Sequence, residues 1–170
     1  GSGHDKQIAA IEGTEVVAIS DLHEDLAKKS YEICKEIGNN ERHRNIALYY
    51  GGENKWITML KEVKPDAVII STNWDNHAPM AIETMKNGAH AFVEVPMATT
   101  IEDLWKIVNT SEKTRKHCMM MENVNYGRDE LMYLNMCRKG VIGDFLHAEA
   151  AYIHELRFQM KEENRGTGSW

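Results

Sequence analysis

The sequence predicts an α/β fold, a parallel sheet with helices on both faces. Three observations carry that reading. Short continuous apolar runs recur, such as Val16–Ile19 and "DAVIIST" at 66–72, as in strands buried on both sides. Each run is followed by a longer segment with apolar residues at helical spacing. The two kinds of segment alternate strictly from residue 14 to 140. Parallel neighbours need such crossovers, and crossovers are right-handed.

Taken in order, "GSG" at 1–3 precedes a helix that would start near His4 and run through Gln7, Ile8 and Ile11. Its first amides would be free for a phosphate; the same "GSG" also suits a flexible end. "TEVVAISD" (14–21) is a strand, and "LHEDLAKKSYEICKEIG" (22–38) is a helix stopped by Gly38. "NNERHRN" (39–45) reads as a polar loop, "IALYY" (46–50) as a short strand and "ENKWITMLKEV" (53–63) as a helix. After the strand at 66–72, residues 76–88 form a helix with Pro79 in its first turn and Gly88 at its end. "HAFVEV" (90–95) is a strand, and the helix at 100–114 starts at a Thr100 cap with Asp103 three positions on. "HCMMMEN" (117–123) is the last strand of the alternation, and the helix at 128–140 closes on Gly140. Residues 144–157 alternate polar and apolar and read as the opening of a second domain, with 1–143 as the first and 144–170 as the second.

Composition narrows the function. A net charge of −6 argues against nucleic acid as a partner. No apolar run reaches the roughly 20 residues of a membrane span, and no signal peptide is visible in a chain that does not begin with Met. The compartment therefore stays unassigned. Cys34, Cys118 and Cys137 are far apart, read as buried thiols, and give no metal-ligand spacing. The methionines, Met119–Met121 included, read as core fillers.

In sheets of this kind ligands bind beyond the carboxyl ends of the strands. Polar residues crowd those ends here. Asp21 closes the first run, at the distance from the "GSG" turn at which an acid accepts hydrogen bonds from an adenosine ribose; a helix cap is an equal reading. "STNWDNH" (71–77) offers Trp74 and His77 to line a nucleotide, or else a loop capped by Asn73 or Asp75. Glu94 stands at the edge of a buried strand, where a carboxylate needs partners, and Pro96 would fix the turn that aims it. Asn123 could bond a carboxamide or simply form a turn. Together, Asp21, His77, Glu94 and Asn123 favour one crevice.

The runs "AFVEVP", "LYYGGENKW", "PDAVIISTNWDNHAPMAIE" and "MMMENVNYGRDELMYLNMCRKGVIGDFLHAEAAYIHELR", with the closing "RGTGSW", resemble the Gfo/Idh/MocA oxidoreductase-like superfamily. Within it the resemblance is to glycosyl hydrolase family 109, the NAD-dependent α-N-acetylgalactosaminidases. It implies a Rossmann-like, doubly wound sheet whose first strand is missing here, followed by the beginning of a C-terminal α/β domain. It also implies NAD as cofactor, held by Asp21, by Trp74 to His77, by Glu94 and Val95, and by Asn123. Tyr152 would contact the sugar, with Tyr126 a weaker candidate and His154 and Arg157 unassigned. The implied substrate is a glycan ending in α-linked N-acetylgalactosamine, and a homo-oligomer is compatible.

Two departures shape the expectation. The superfamily usually carries Glu-Lys-Pro where this chain has Glu94-Val95-Pro96. The missing lysine argues against an ordinary sugar dehydrogenase, the first alternative; a non-catalytic nucleotide-binding protein is the second. The family's catalytic Tyr and His should lie beyond Trp170, so the chain reads as an inactive fragment, incomplete at both ends. The implied mechanism oxidises C3 of the sugar, eliminates the leaving group after C2 deprotonation, adds water and reduces the ketone again. Such hydrolases stand outside the two-carboxylate scheme.

Overall fold

The computed structural model describes residues 2–38, 43, 45–153 and 155. His154, Arg157, the closing "RGTGSW" and most of the loop at 39–45 lie outside them. The chain divides into two compact units that meet in sequence between Met121 and Glu122.

The first unit alternates helix and strand as the sequence requires: α1 (Ser2–Ala10), β1 (Ala18–Ser20), α2 (Glu24–Gly38), β2 (Ala47–Tyr49), α3 (Lys55–Val63), β3 (Ala67–Ile70), α4 (Trp74–Lys86), β4 (His90–Glu94), α5 (Ile101–Thr114) and β5 (Cys118–Met121). All strand pairs are parallel. β1 pairs with β2, and β3, β4 and β5 form a second sheet in that order. Among the described residues no strand joins the two sheets. Helix α1 is not orphaned: α1 packs on α2, and Ala9 is buried with Cys34 and Ile46 in a shared cluster.

The larger core lies between β3, β4, α4 and α5. Ile70, Ala91 and Val93 from the sheet meet Ala78, Ala81 and Met85 from α4 and Ile107 from α5. The alanines let α4 approach the sheet closely, and Met85 and Ile107 fill the remaining volume.

Several boundaries differ from the sequence expectation, each for a physical reason. The run at 14–21 yields a strand of three residues only, because the Val16 N–H is taken by His43 Nδ1 at 3.1 Å rather than by a neighbouring strand. His43, in the predicted polar loop, is 1% exposed, and its Nε2 lies 3.2 Å from the Ala9 carbonyl. Helix α4 starts directly after Asn73, so Pro79 lies inside the helix and not in its first turn. Its missing N–H leaves the Asp75 carbonyl without its i+4 donor. Met119 and Met120 are 43% and 44% exposed on the edge strand β5, not core fillers. Only Cys34 is a buried thiol; Cys118 and Cys137 are half-buried. The Val95–Pro96 peptide is cis.

The Thr100 cap forms as predicted, with Oγ1 accepting from the Asp103 N–H at 3.1 Å. The shorter Asp103 side chain accepts the Thr100 hydroxyl, at 2.8 Å, in place of the main-chain bond that a glutamate would make. Thr100→Ala is expected to lower stability by about 1 kcal/mol, read from the urea midpoint at unchanged slope.

Burial pushes the Cys34 thiol up to about 11, aided by the Asp5 carboxylate, and burial alone pushes Cys118 up to about 11. The thiolate is the reactive form. Both thiols should therefore resist iodoacetamide near pH 8 in the folded chain and react once urea unfolds it, as counted by mass spectrometry.

The second unit contains α6 (Arg128–Arg138), whose side chains are not buried, with Gly140 beyond it in the left-handed region at φ 66. The alternating segment forms no strand over the described residues 144–153, and Leu146 and Ile153 are 98% and 94% exposed. Alternation becomes a strand only where a neighbour completes the ladder and a layer covers the apolar face. No helix of the described residues is long and apolar enough to cross a membrane.

Candidate functional site

Parallel pairing sets the strand ends side by side. In the three-stranded sheet Ile70 pairs with Val93 and Glu94 pairs with Met121, so Ser71, Glu94 and Met121 stand level at the carboxyl edge. Glu94 is half-buried, and its Oε1 lies 2.5 Å from His4 Nε2, near the start of α1. The first helix thus reaches the tip of β4. Sequence reasoning missed this pair. Its members are 90 residues apart, and no local pattern couples them.

Asp21 continues β1, with its N–H donating to the Tyr49 carbonyl at 3.0 Å. Its Oδ1 accepts from the His23 N–H at 2.8 Å. The bond serves the turn into α2, and the half-buried carboxylate keeps further lone pairs for a diol. At β3 the buried Ser71 Oγ has no partner among the described residues. An orphaned hydroxyl at a strand tip, level with a carboxylate, suits the hydroxyl-rich edge of a nucleotide.

The residues expected to line the pocket divide. Trp74 is 45% exposed and Val95 39% exposed, and Asp75 and Asn76 are exposed at the start of α4. Asn76 Nδ2 donates to Asn73 Oδ1. His77 differs. It is 1% exposed, with Nδ1 2.7 Å from the Pro96 carbonyl and Nε2 3.0 Å from the Thr72 carbonyl. Its ring is packed between the turns that leave β3 and β4. In the second unit Asn123 is exposed, its N–H donating to Glu122 Oε1 at 3.1 Å, while Tyr126 and Tyr152 are 75% and 88% exposed.

A shallow cavity of about 370 Å³ lies elsewhere, between β2 and α3, lined by Leu48, Tyr49, Tyr50, Lys55, Thr58 and Glu62. It includes none of the expected site residues. There the Tyr49 hydroxyl donates to Glu62 at 2.9 Å, and that bond holds the phenol above its ordinary range. Among the described residues no cluster of His, Cys, Asp and Glu could hold a metal ion.

Comparison with known proteins identifies the fold and the family. Residues 4–122 match the oxidoreductase family with an NAD-binding Rossmann fold, and residues 126–169 match the glycosyl hydrolase 109 C-terminal domain. The chain is 58% identical over its whole length to glycosyl hydrolase family 109 protein 1 of Akkermansia muciniphila, covering 34% of that protein. It is 52% identical over its whole length to an alpha-N-acetylgalactosaminidase of Shewanella oneidensis, covering 36% of it. It therefore spans about a third of the length of these curated relatives. Among solved structures it resembles an NAD-binding protein from Listeria innocua, with TM-score 0.67 and 26% identity over 84% of this chain and 38% of that one. The fold also matches scyllo-inositol dehydrogenase from Lactobacillus casei with bound NAD(H) and scyllo-inositol, with TM-score 0.67 and 17% identity over 83% of this chain and 38% of that one.

The free lone pairs of Asp21 and the orphaned Ser71 hydroxyl fit the ribose-rich cofactor that the match implies, and NAD is the cofactor of this domain. The chain belongs to the Gfo/Idh/MocA oxidoreductase family, its NAD-binding Rossmann domain running directly into glycosyl hydrolase 109 sequence.

Proposed function

We propose that the protein carrying this chain is an NAD-dependent glycosidase that releases terminal α-linked N-acetylgalactosamine from glycans. The name of the Shewanella oneidensis relative and the glycosyl hydrolase 109 match support the substrate. The observation that carries the reading is the carboxyl edge itself: Glu94, bonded to His4, stands level with the orphaned Ser71, and an apolar Val95 follows where an ordinary dehydrogenase of this superfamily needs a lysine.

Bound NAD supplies a hydride acceptor and returns the same hydride at the end of the cycle. The chain's residues bind and orient. Asp21 accepts hydrogen bonds from the adenosine ribose diol, and Trp74, Asp75 and Asn76 border the cofactor at the start of α4. Glu94 and Val95 border its nicotinamide side. Val95 has no proton to give or take, so it cannot serve a sugar hydroxyl. In this reading C3 of the sugar is oxidised first, which acidifies the C2 proton. A base removes that proton, the glycosidic oxygen leaves, water adds, and the ketone is reduced. No oxocarbenium-like transition state is needed. We assign the base to the C-terminal domain, in which Tyr152 would contact the sugar.

The test uses the complete gene product that contains this sequence, an aryl α-N-acetylgalactosaminide, and simultaneous readings of aryl release and NADH absorbance. Aryl release with no net NADH is expected. NADH accumulating in proportion to sugar turned over would instead identify a dehydrogenase.

A further inference from the structure

His77 is the buried polar ring nearest the strand tips, and its two contacts are unusual in kind. Both nitrogens face main-chain carbonyls, at 2.7 Å from Pro96 and 3.0 Å from Thr72. Carbonyls only accept, so a neutral ring donates its one N–H to one of the two and packs against the other. Thr72 lies two residues past the end of β3, and Pro96 two residues past the end of β4. One side chain therefore ties the turn leaving β3 to the turn leaving β4. Glu94 and Val95 sit between that tie and the strand. The position within the first turn of α4, which packs on β4, keeps the buried ring in place. Removing the ring would take away that hydrogen bond and free the turn to move.

We propose that His77 is a positioning residue: by holding the Pro96 turn against the end of β3, it fixes where Glu94 and Val95 stand toward the nicotinamide end of NAD. This rests on the cofactor reading of the strand tips. It separates His77 from Asp21, which serves the adenosine end and which the ring does not touch.

The experiment compares the chain with His77→Phe, which keeps a ring of similar size without donors, and His77→Gln, which keeps an N–H donor without the ring. Affinities for NAD and for ADP-ribose are measured by calorimetry, with circular dichroism confirming the fold. His77→Phe should weaken NAD by about tenfold and ADP-ribose by less than about twofold, because only NAD carries the nicotinamide. His77→Gln should fall between. Equal losses for both ligands, or no loss for either, would overturn the proposal. Should His77→Phe not fold, the amide shifts of unliganded His77→Gln decide it. Displaced Glu94 and Val95 signals with Asp21 and His23 unmoved support the tie, and unmoved Glu94 and Val95 refute it. A parent chain that binds neither ligand defeats the cofactor reading, and the amide shifts still judge the tie.

Discussion

Replacing Asp21 with alanine should weaken NAD binding by about 100-fold and leave the thermal midpoint nearly unchanged. The carboxylate sits at the end of β1, half-buried, with one main-chain donor from His23 and lone pairs left over. A ribose diol would give it two hydrogen bonds to a charged acceptor, each worth about 1.5–3 kcal/mol. Losing both costs about 3 kcal/mol or more, or roughly two orders of magnitude in affinity. Asp21→Asn should fall less far, since an amide oxygen still accepts. The fold tolerates either change because the His23 N–H that Asp21 serves lies in a turn, where water can replace the side chain. Calorimetric titration of the three proteins checks the order. Equal affinity in all of them would place the adenosine end elsewhere.

The second large effect concerns folding. Val93→Asp should abolish the cooperative unfolding transition. Val93 is fully buried in the middle strand of its sheet, between Ile70 and Met120, inside the cluster that unites β3, β4, α4 and α5. An unpaired carboxylate there costs about 3–5 kcal/mol. Single domains have about 5–15 kcal/mol in all, and a unit whose sheet is split into two parts sits toward the low end. Val93→Thr matches the shape and adds one hydroxyl, so it should keep the transition at a loss of about 1–3 kcal/mol. Chemical denaturation followed by circular dichroism distinguishes the two.

Much of this fold was legible because its signals are local. Apolar runs marked β3 and β4 within a residue or two, Gly88 and Gly140 marked helix ends, and Thr100 marked the start of α5. The positions of Asp21 and Glu94 at strand ends follow from the same pattern. What was not legible depends on distant partners. The His4–Glu94 pair spans 90 residues, and the His43 ring that shortens β1 lies in a stretch whose composition says loop. His77 shows the difference most plainly. A histidine at a helix start beside a strand end reads as a ligand contact, and only the fold places its ring between two main-chain carbonyls. The exposed stripe of α5, Ile101, Leu104, Trp105 and Val108, follows helical spacing and predicts burial that the described residues do not provide.

The account stands on one claim, that the carboxyl ends of these parallel strands form the NAD site. Amide chemical-shift mapping of NAD onto the chain tests it most directly. Perturbed signals confined to Asp21, His23, Ser71, residues 73–76, Glu94 and Val95 are the expected result. Shifts that leave these amides untouched and gather instead at the β2–α3 cavity or along α5 would contradict it.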